Sequence, residues 1–328
     1  IEVLKGPQGT LYGRNASGGA INFISVRPGE DQRRYVRAGY GNFNRVDLDG
    51  AYGNSLDNGF SYRLAGRYLS RDAVLDNVDG PEDAGGVRDE FGLRLGLNWE
   101  RALGGSLLVR THYEEDNGVN ATPRNDTLNL SDHEISSSGD GLQDTDNEFY
   151  GISAEYERAL GRWTLTSLTS FEGYNQDYGF DFDGAAALYG DPALSANLSY
   201  IRDFRQYTQE VRLKTDWDKG SSLFGIHASQ EDFSQTYTIW CGELDPATLI
   251  GSCAYVGAGS RAGPDPISDG TAMTLVTDIR QERTSLAAFT YNEFDLSDRL
   301  TATLGARLTH EEIEGIGSGR HVFDDGTI

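Results

Sequence analysis

Along residues 90–100, Phe91, Leu93, Leu95, Leu97 and Trp99 alternate with Gly92, Arg94, Gly96, Asn98 and Glu100, a period of two that confines this stretch to a two-faced β-strand. Residues 300–310 repeat it, with Leu300, Ala302, Leu304, Ala306 and Leu308 set against Thr301, Thr303, Gly305, Arg307 and Thr309. Residues 60–70 and 106–114 do the same. The pattern predicts strands near 33–40, 45–53, 60–70, 90–99, 106–115, 148–157, 162–175, 204–215, 221–235, 283–294 and 300–312. Composition agrees, since 41 Gly, 17 Tyr and 14 Phe suit strands and tight turns better than helices. No window approaches the roughly 18 apolar residues of a membrane helix, whereas a barrel strand crosses with about 9–11 alternating ones. A mean hydropathy of −0.50 therefore leaves a membrane β-barrel open.

The connections separate a barrel from a soluble sandwich. Short links (54–59, 101–105, 158–161, 218–220 and 295–299) alternate with links of roughly twenty to forty-odd residues, apart from the first, Gly41 to Asn44. Outer-membrane barrels have this asymmetry of short periplasmic turns and long outer loops. Trp99, Trp163 and Trp217 stand beside short turns on apolar faces, as one interfacial girdle requires, and Tyr68, Tyr113 and Phe171 lie on the same face toward the long links. The opposite face carries Arg63, Arg67, Arg94, Arg110, Glu155, Glu210, Arg212, Lys214 and Arg307. Burying such charges unpaired costs several kcal/mol each, so that face requires water or a polar filling.

A net charge of −23 argues against a nucleic-acid partner. The acids gather in long connections, seven in residues 71–90 against two Arg and seven in 116–147 against Arg124 alone, which reads as solvated loop.

Near the start, Leu4-Lys5-Gly6-Pro7, Gly9, Leu11-Tyr12-Gly13, Gly18-Gly19-Ala20-Ile21-Asn22 and Arg27-Pro28 form a Gly- and Pro-rich run without dinucleotide or Walker spacing. This run resembles the end of the plug domain of TonB-dependent outer-membrane receptors, and the strands after it resemble the first half of their barrel. The resemblance implies an all-β fold, an antiparallel transmembrane β-barrel of 22 strands of which about eleven are present here. Residues 1–28 are expected to form the C-terminal part of the plug and 29–328 the N-terminal half of the barrel. It further implies energy-coupled import across the bacterial outer membrane of a scarce ligand, a ferric siderophore complex before cobalamin, haem or oligosaccharide. A passive porin would lack the plug signature, and a surface adhesin could use the same long loops. The implied partners are outer-membrane lipid and lipopolysaccharide, a small iron chelate, and a TonB-type energy-coupling complex reached through a segment upstream of Ile1. The chain reads as a piece of such a receptor. The family places an Arg at Lys5, where it looks like a tether to glutamates of the wall; Lys keeps the charge but lacks the bidentate fork.

Other chemistry is sparse. Cys241 and Cys253 share one long loop and are expected to pair in an oxidising location. Tyr174, Tyr178, Phe180, Phe182 and Tyr189 make another connection aromatic, fit for stacking on a ligand ring or for packing loop on loop. His310-Glu311-Glu312 lacks the second histidine of a zinc-protease helix, and the acidic runs at 76–83 and 177–184 miss EF-hand spacing. No catalytic constellation, metal site or cofactor is expected.

Overall fold

Eleven antiparallel strands pair in chain order into one open sheet, as alternating sequences joined by hairpins must. The computed structural model describes residues 1–13, 16–30, 34–78, 82–120, 130–137, 144–181, 196–241 and 273–323. A small hairpin comes first, β1 (Glu2–Lys5) and β2 (Gly19–Asn22), enclosing the single-turn helix α1 (Gly9–Tyr12). The sheet then runs through β3 (Tyr35–Gly41), β4 (Arg45–Ser55), β5 (Phe60–Arg71), β7 (Arg88–Ala102), β8 (Gly105–Val119), β10 (Asp144–Leu160), β11 (Trp163–Asp181), β12 (Ala196–Trp217), β13 (Gly220–Cys241), β14 (Met273–Ser297) and β15 (Leu300–Phe323). Two-residue strands β6 (Asp76–Asn77) and β9 (Glu134–Ile135) pair in parallel and join two long links. There the Asn77 amide donates to the Ser137 carbonyl (2.8 Å) and accepts from its N–H (2.9 Å).

The short links are tight turns. Phe43 and Asn44, at φ 60° and 52°, give the β3–β4 hairpin the left-handed pair that matches strand twist.

One face meets lipid. Trp163 lies 6.3 Å from Phe224 and Trp217 6.2 Å from Phe294, and Trp99 stands on the same face, building the girdle beside the short turns. Eight to ten residues further, Tyr68 pairs with Phe91, Tyr113 with Tyr150, and Phe171 with Tyr207. The separation is about 27–34 Å along a strand, or roughly 20–26 Å of height at a tilt near 40°, close to the apolar band of an outer-membrane barrel. Between the girdles Leu93 and Leu304 are 41% and 64% exposed, with no protein core over them.

The sheet differs from the sequence reading mainly at the long-link ends. β12 begins at Ala196 rather than near 204, β14 at Met273 rather than near 283, and β15 runs to Phe323 rather than 312. Backbone pairing continues beyond the lipid, where the outward face switches to Asp203, Arg205, Asp232 and Glu282 and the greasy alternation vanishes. For the same reason Asp116, Asp144 and Asp146, assigned above to a solvated loop, lie in strands.

Candidate functional site: the inner wall

Strict register stacks the inward side chains of neighbouring strands into rows, each two residues or about 6.8 Å from the next. The highest described ring row is Tyr178–Tyr200–Tyr237, one tyrosine from each of β11, β12 and β13. Below it runs Asn147–Gln176–Arg202–Gln235, and below that a second ring row, Phe149–Tyr174–Phe204–Phe233. The rings meet in pairs, with centroids 4.8 Å apart for Tyr200–Tyr237 and 4.5 Å for Phe149–Tyr174.

The polar row between them is hydrogen-bonded end to end. Arg202 donates from Nη1 to Gln176 Oε1 (2.8 Å) and from Nε to Gln235 Oε1 (2.7 Å), and its guanidinium lies 4.3 Å over the Tyr200 ring. Gln176 Nε2 in turn donates to Asn147 Oδ1 (2.8 Å), which also accepts from the Tyr174 hydroxyl (3.2 Å). On β8, in register with Asn147, stands Asp116. Burial pushes its carboxyl above the ordinary range, Glu90 adds to this, and Arg88 and a hydrogen bond from Asn147 oppose it.

Next come a charged row and a neutral one. Glu231 accepts from Gln206 (2.9 Å) and from Arg283 (3.3 Å), and Glu172 faces His112 at 3.2 Å. Ser153, Ser170, Thr208, Ser229 and Ser285 then place a hydroxyl on each of five successive strands. Toward β3 the wall is laced by ion pairs, including the Arg37–Asp49 fork (2.7 Å) and Arg94–Glu114 (2.6 Å), around a hollow of about 650 Å³ that Phe149 also lines. A shallower hollow of about 410 Å³ among Ile226, Ala228, Leu286, Ala288 and Leu308 lies on the opposite face, where acyl chains pack, and is no part of this site.

The N-terminal segment lies against this inner face. α1 packs on β14 and β15, and the bare Cα of Gly305 admits Thr10, whose Cγ2 would come within 2.7 Å of any side chain there. At the other end Pro28 sits over Gly96, where an added Cβ would meet its ring at 2.9 Å. Between these contacts Arg27 Nη2 reaches Glu155 Oε1 at 3.1 Å, and Arg110 approaches the other carboxylate oxygen at 3.7 Å.

The predicted residues distribute unevenly. Lys5, Gly6, Pro7, Gly9, Tyr12, Gly13, Gly18, Gly19 and Ile21 all fall in or beside the hairpin and α1. Lys5 is exposed, and no carboxylate pairs with it among the described residues; the segment's ion pair to a wall glutamate comes from Arg27. Tyr174, Tyr178 and Phe180 share the inner face, whereas Phe182, Tyr189, Cys253 and the Cys241 side chain lie outside the described residues. The sequence reading missed Phe149, Tyr200, Arg202 and Tyr237. The alternation Tyr200, Arg202, Phe204, Gln206 was the available signal, obscured because both faces mix polar and apolar residues, Ile201 standing with Asp203 and Arg205 on the other side. No group of three or more metal-ligating side chains occurs among the described residues.

The sequence profile described as TonB dependent receptor-like, beta-barrel, matches residues 110–324. The chain belongs to the TonB-dependent receptor family. It is thus a wall of an outer-membrane barrel. This receptor chain is 32% identical over 116 residues to the pesticin receptor of Yersinia pestis, covering 32% of the chain and 17% of that protein. It is 31% identical over 184 residues to the catecholate siderophore receptor Fiu of Escherichia coli K12, covering 52% and 22%. Among solved structures, the ferric yersiniabactin uptake receptor FyuA from Yersinia pestis superposes with a TM-score of 0.71 at 15% identity, over 98% of this chain and 47% of that one. The ferripyoverdine receptor of Pseudomonas aeruginosa gives 0.68 at 16%, over 98% and 43%. At such identities the likeness is one of fold. The receptor chain spans about a fifth of the length of the curated relatives it matches and just under half of these solved ones.

Proposed function

We propose that this chain serves energy-coupled import of a ferric siderophore complex through a plugged outer-membrane barrel, with residues 1–28 as the end of the plug and 29–328 as wall. The observation that carries this reading is the N-terminal segment on the inner face, held at Gly305, Glu155 and Gly96. A passive pore has no use for such an obstruction. All its described wall contacts lie at or below the hydroxyl row, leaving the ring rows open to a ligand arriving from outside. A relative named for catecholate siderophores, and neighbours for ferric yersiniabactin and ferripyoverdine, support an iron-chelate cargo over cobalamin, haem or glycan. An inner-membrane energy-coupling complex is the partner that such import requires, and the lipid face adjoins lipopolysaccharide in the outer leaflet.

Deletion of the gene tests the reading. Uptake of radioactive iron as siderophore complexes under iron limitation should fall, and growth on glycans should not. Unchanged iron uptake with lost growth on an oligosaccharide would move the assignment to sugar import.

A further inference from the structure

We infer, resting on the iron-import reading, that the cargo is a chelate of low net negative charge with an aryl ring beside its metal-binding oxygens, seated on the ring rows with an anionic oxygen on Arg202. Three observations converge. First, rings stand on both sides of the Arg202 row, Tyr178, Tyr200 and Tyr237 above and Phe149, Tyr174 and Phe204 below, about 6.8 Å away along the strands in each direction. Phe149 remains 42% exposed despite its stacking partner, so ring surface is left for a guest. Aromatic faces gain from offset contact with another ring, which a ring-free hydroxamate chelate cannot return.

Second, Arg202 is positioned without being neutralised. Its two described hydrogen bonds go to the amide oxygens of Gln176 and Gln235, and no carboxylate pairs with it among the described residues. Two of five guanidinium N–H groups are thereby used to fix the plane, leaving three and the full charge for a ligand oxygen. The inner-face arginines nearer β3 behave differently, with Arg37 and Arg94 each set on an acid.

Third, the surroundings limit how much negative charge the site accepts. Asp116 and Glu90 occupy the Arg202 row on β8 and β7, and Glu114 occupies the row below. Glu90 and Glu114 already hold Arg88 and Arg94, so Arg202 is the one cation of its row left to offset a ligand's charge, too little for a trianionic tris-catecholate and enough for a chelate with phenolate arms and little net charge.

The test uses the full-length protein in detergent and three iron(III) complexes, a phenolate chelate, a tris-catecholate and a ring-free tris-hydroxamate, with binding read by quenching of intrinsic fluorescence. The phenolate complex should bind most tightly. Arg202→Gln should weaken it at least tenfold and Arg202→Lys should recover part of the loss, while Tyr200→Leu combined with Tyr237→Leu should also weaken it at least tenfold. Unchanged heat-dependent migration on gels verifies that each variant keeps the barrel. Hydroxamate binding within threefold of the phenolate complex, tighter binding of the tris-catecholate, or a neutral Arg202→Gln overturns the inference while leaving iron import standing. Binding of none of the three overturns the inference as well, and iron uptake in the deletion strain then decides the import reading separately.

Discussion

Arg27 and Glu155, 128 positions apart in sequence, meet at 3.1 Å with both side chains less than one-third exposed, the described ion pair between the N-terminal segment and the wall. Charge-assisted bonds at this depth contribute about 1 kcal/mol, more than a surface pair and less than a fully buried one. Arg27→Gln and Glu155→Gln should each destabilise the full-length protein by about that much, and a double-mutant cycle by urea titration should show coupling of similar size. Strict additivity would mean that the contact has no energetic role.

Close approach at Gly305 gives a second outcome. Gly305→Val should displace Thr10 and α1, at about 1–3 kcal/mol of overpacking. Cells carrying it should become sensitive to antibiotics too large for closed receptors, and residues 1–30 should become open to protease. If neither changes, the segment is not seated on β15 as described.

Sidedness can be measured in vesicles. Leu95, midway between Phe91 and Trp99 on the lipid face, should cost about 2–4 kcal/mol of folding free energy when changed to Arg. Its neighbour Arg94, more than half exposed on the inner face, should cost less than about 1 kcal/mol as Arg94→Gln. The reverse ranking would turn the wall inside out.

Asp116 makes stability depend on pH. Its folded pKa lies above its unfolded value chiefly through burial, so over the window between the two the folded protein holds the proton that the unfolded chain has released. Stability must fall as pH rises through that window, opposite to an ion-paired carboxylate. Urea midpoints taken from about pH 4 to about pH 7 should decline less in Asp116→Asn than in the parent. An identical slope in both would assign the pH response elsewhere.

The wall between the girdles was legible because lipid forces one answer at every second residue, and Leu93 against Arg94 or Leu308 against Arg307 reveals both period and side. Above the girdles that selection ends. Asp203 and Arg205 pair across the outer face while Arg202 and Phe204 line the inner one, and nothing in their polarity tells the faces apart. The rows were invisible for a further reason, since which residue of β11 stands beside Arg202 depends on register across a long connection that sequence spacing does not specify. Lys5 was expected as the tether because of its place in the signature, whereas the reach to Glu155 belongs to Arg27 at the end of the same run.

The stratified wall also bears on how such a receptor could change its diet over evolutionary time. On the proposed seating, bilayer and cargo consult alternate positions of the same strands, and beyond the girdles the bilayer stops consulting any. Exchanging Tyr200, Arg202 or Tyr237 would then rewrite what is admitted without touching the outward residues that hold the barrel in place, so that specificity drifts while the architecture stays put.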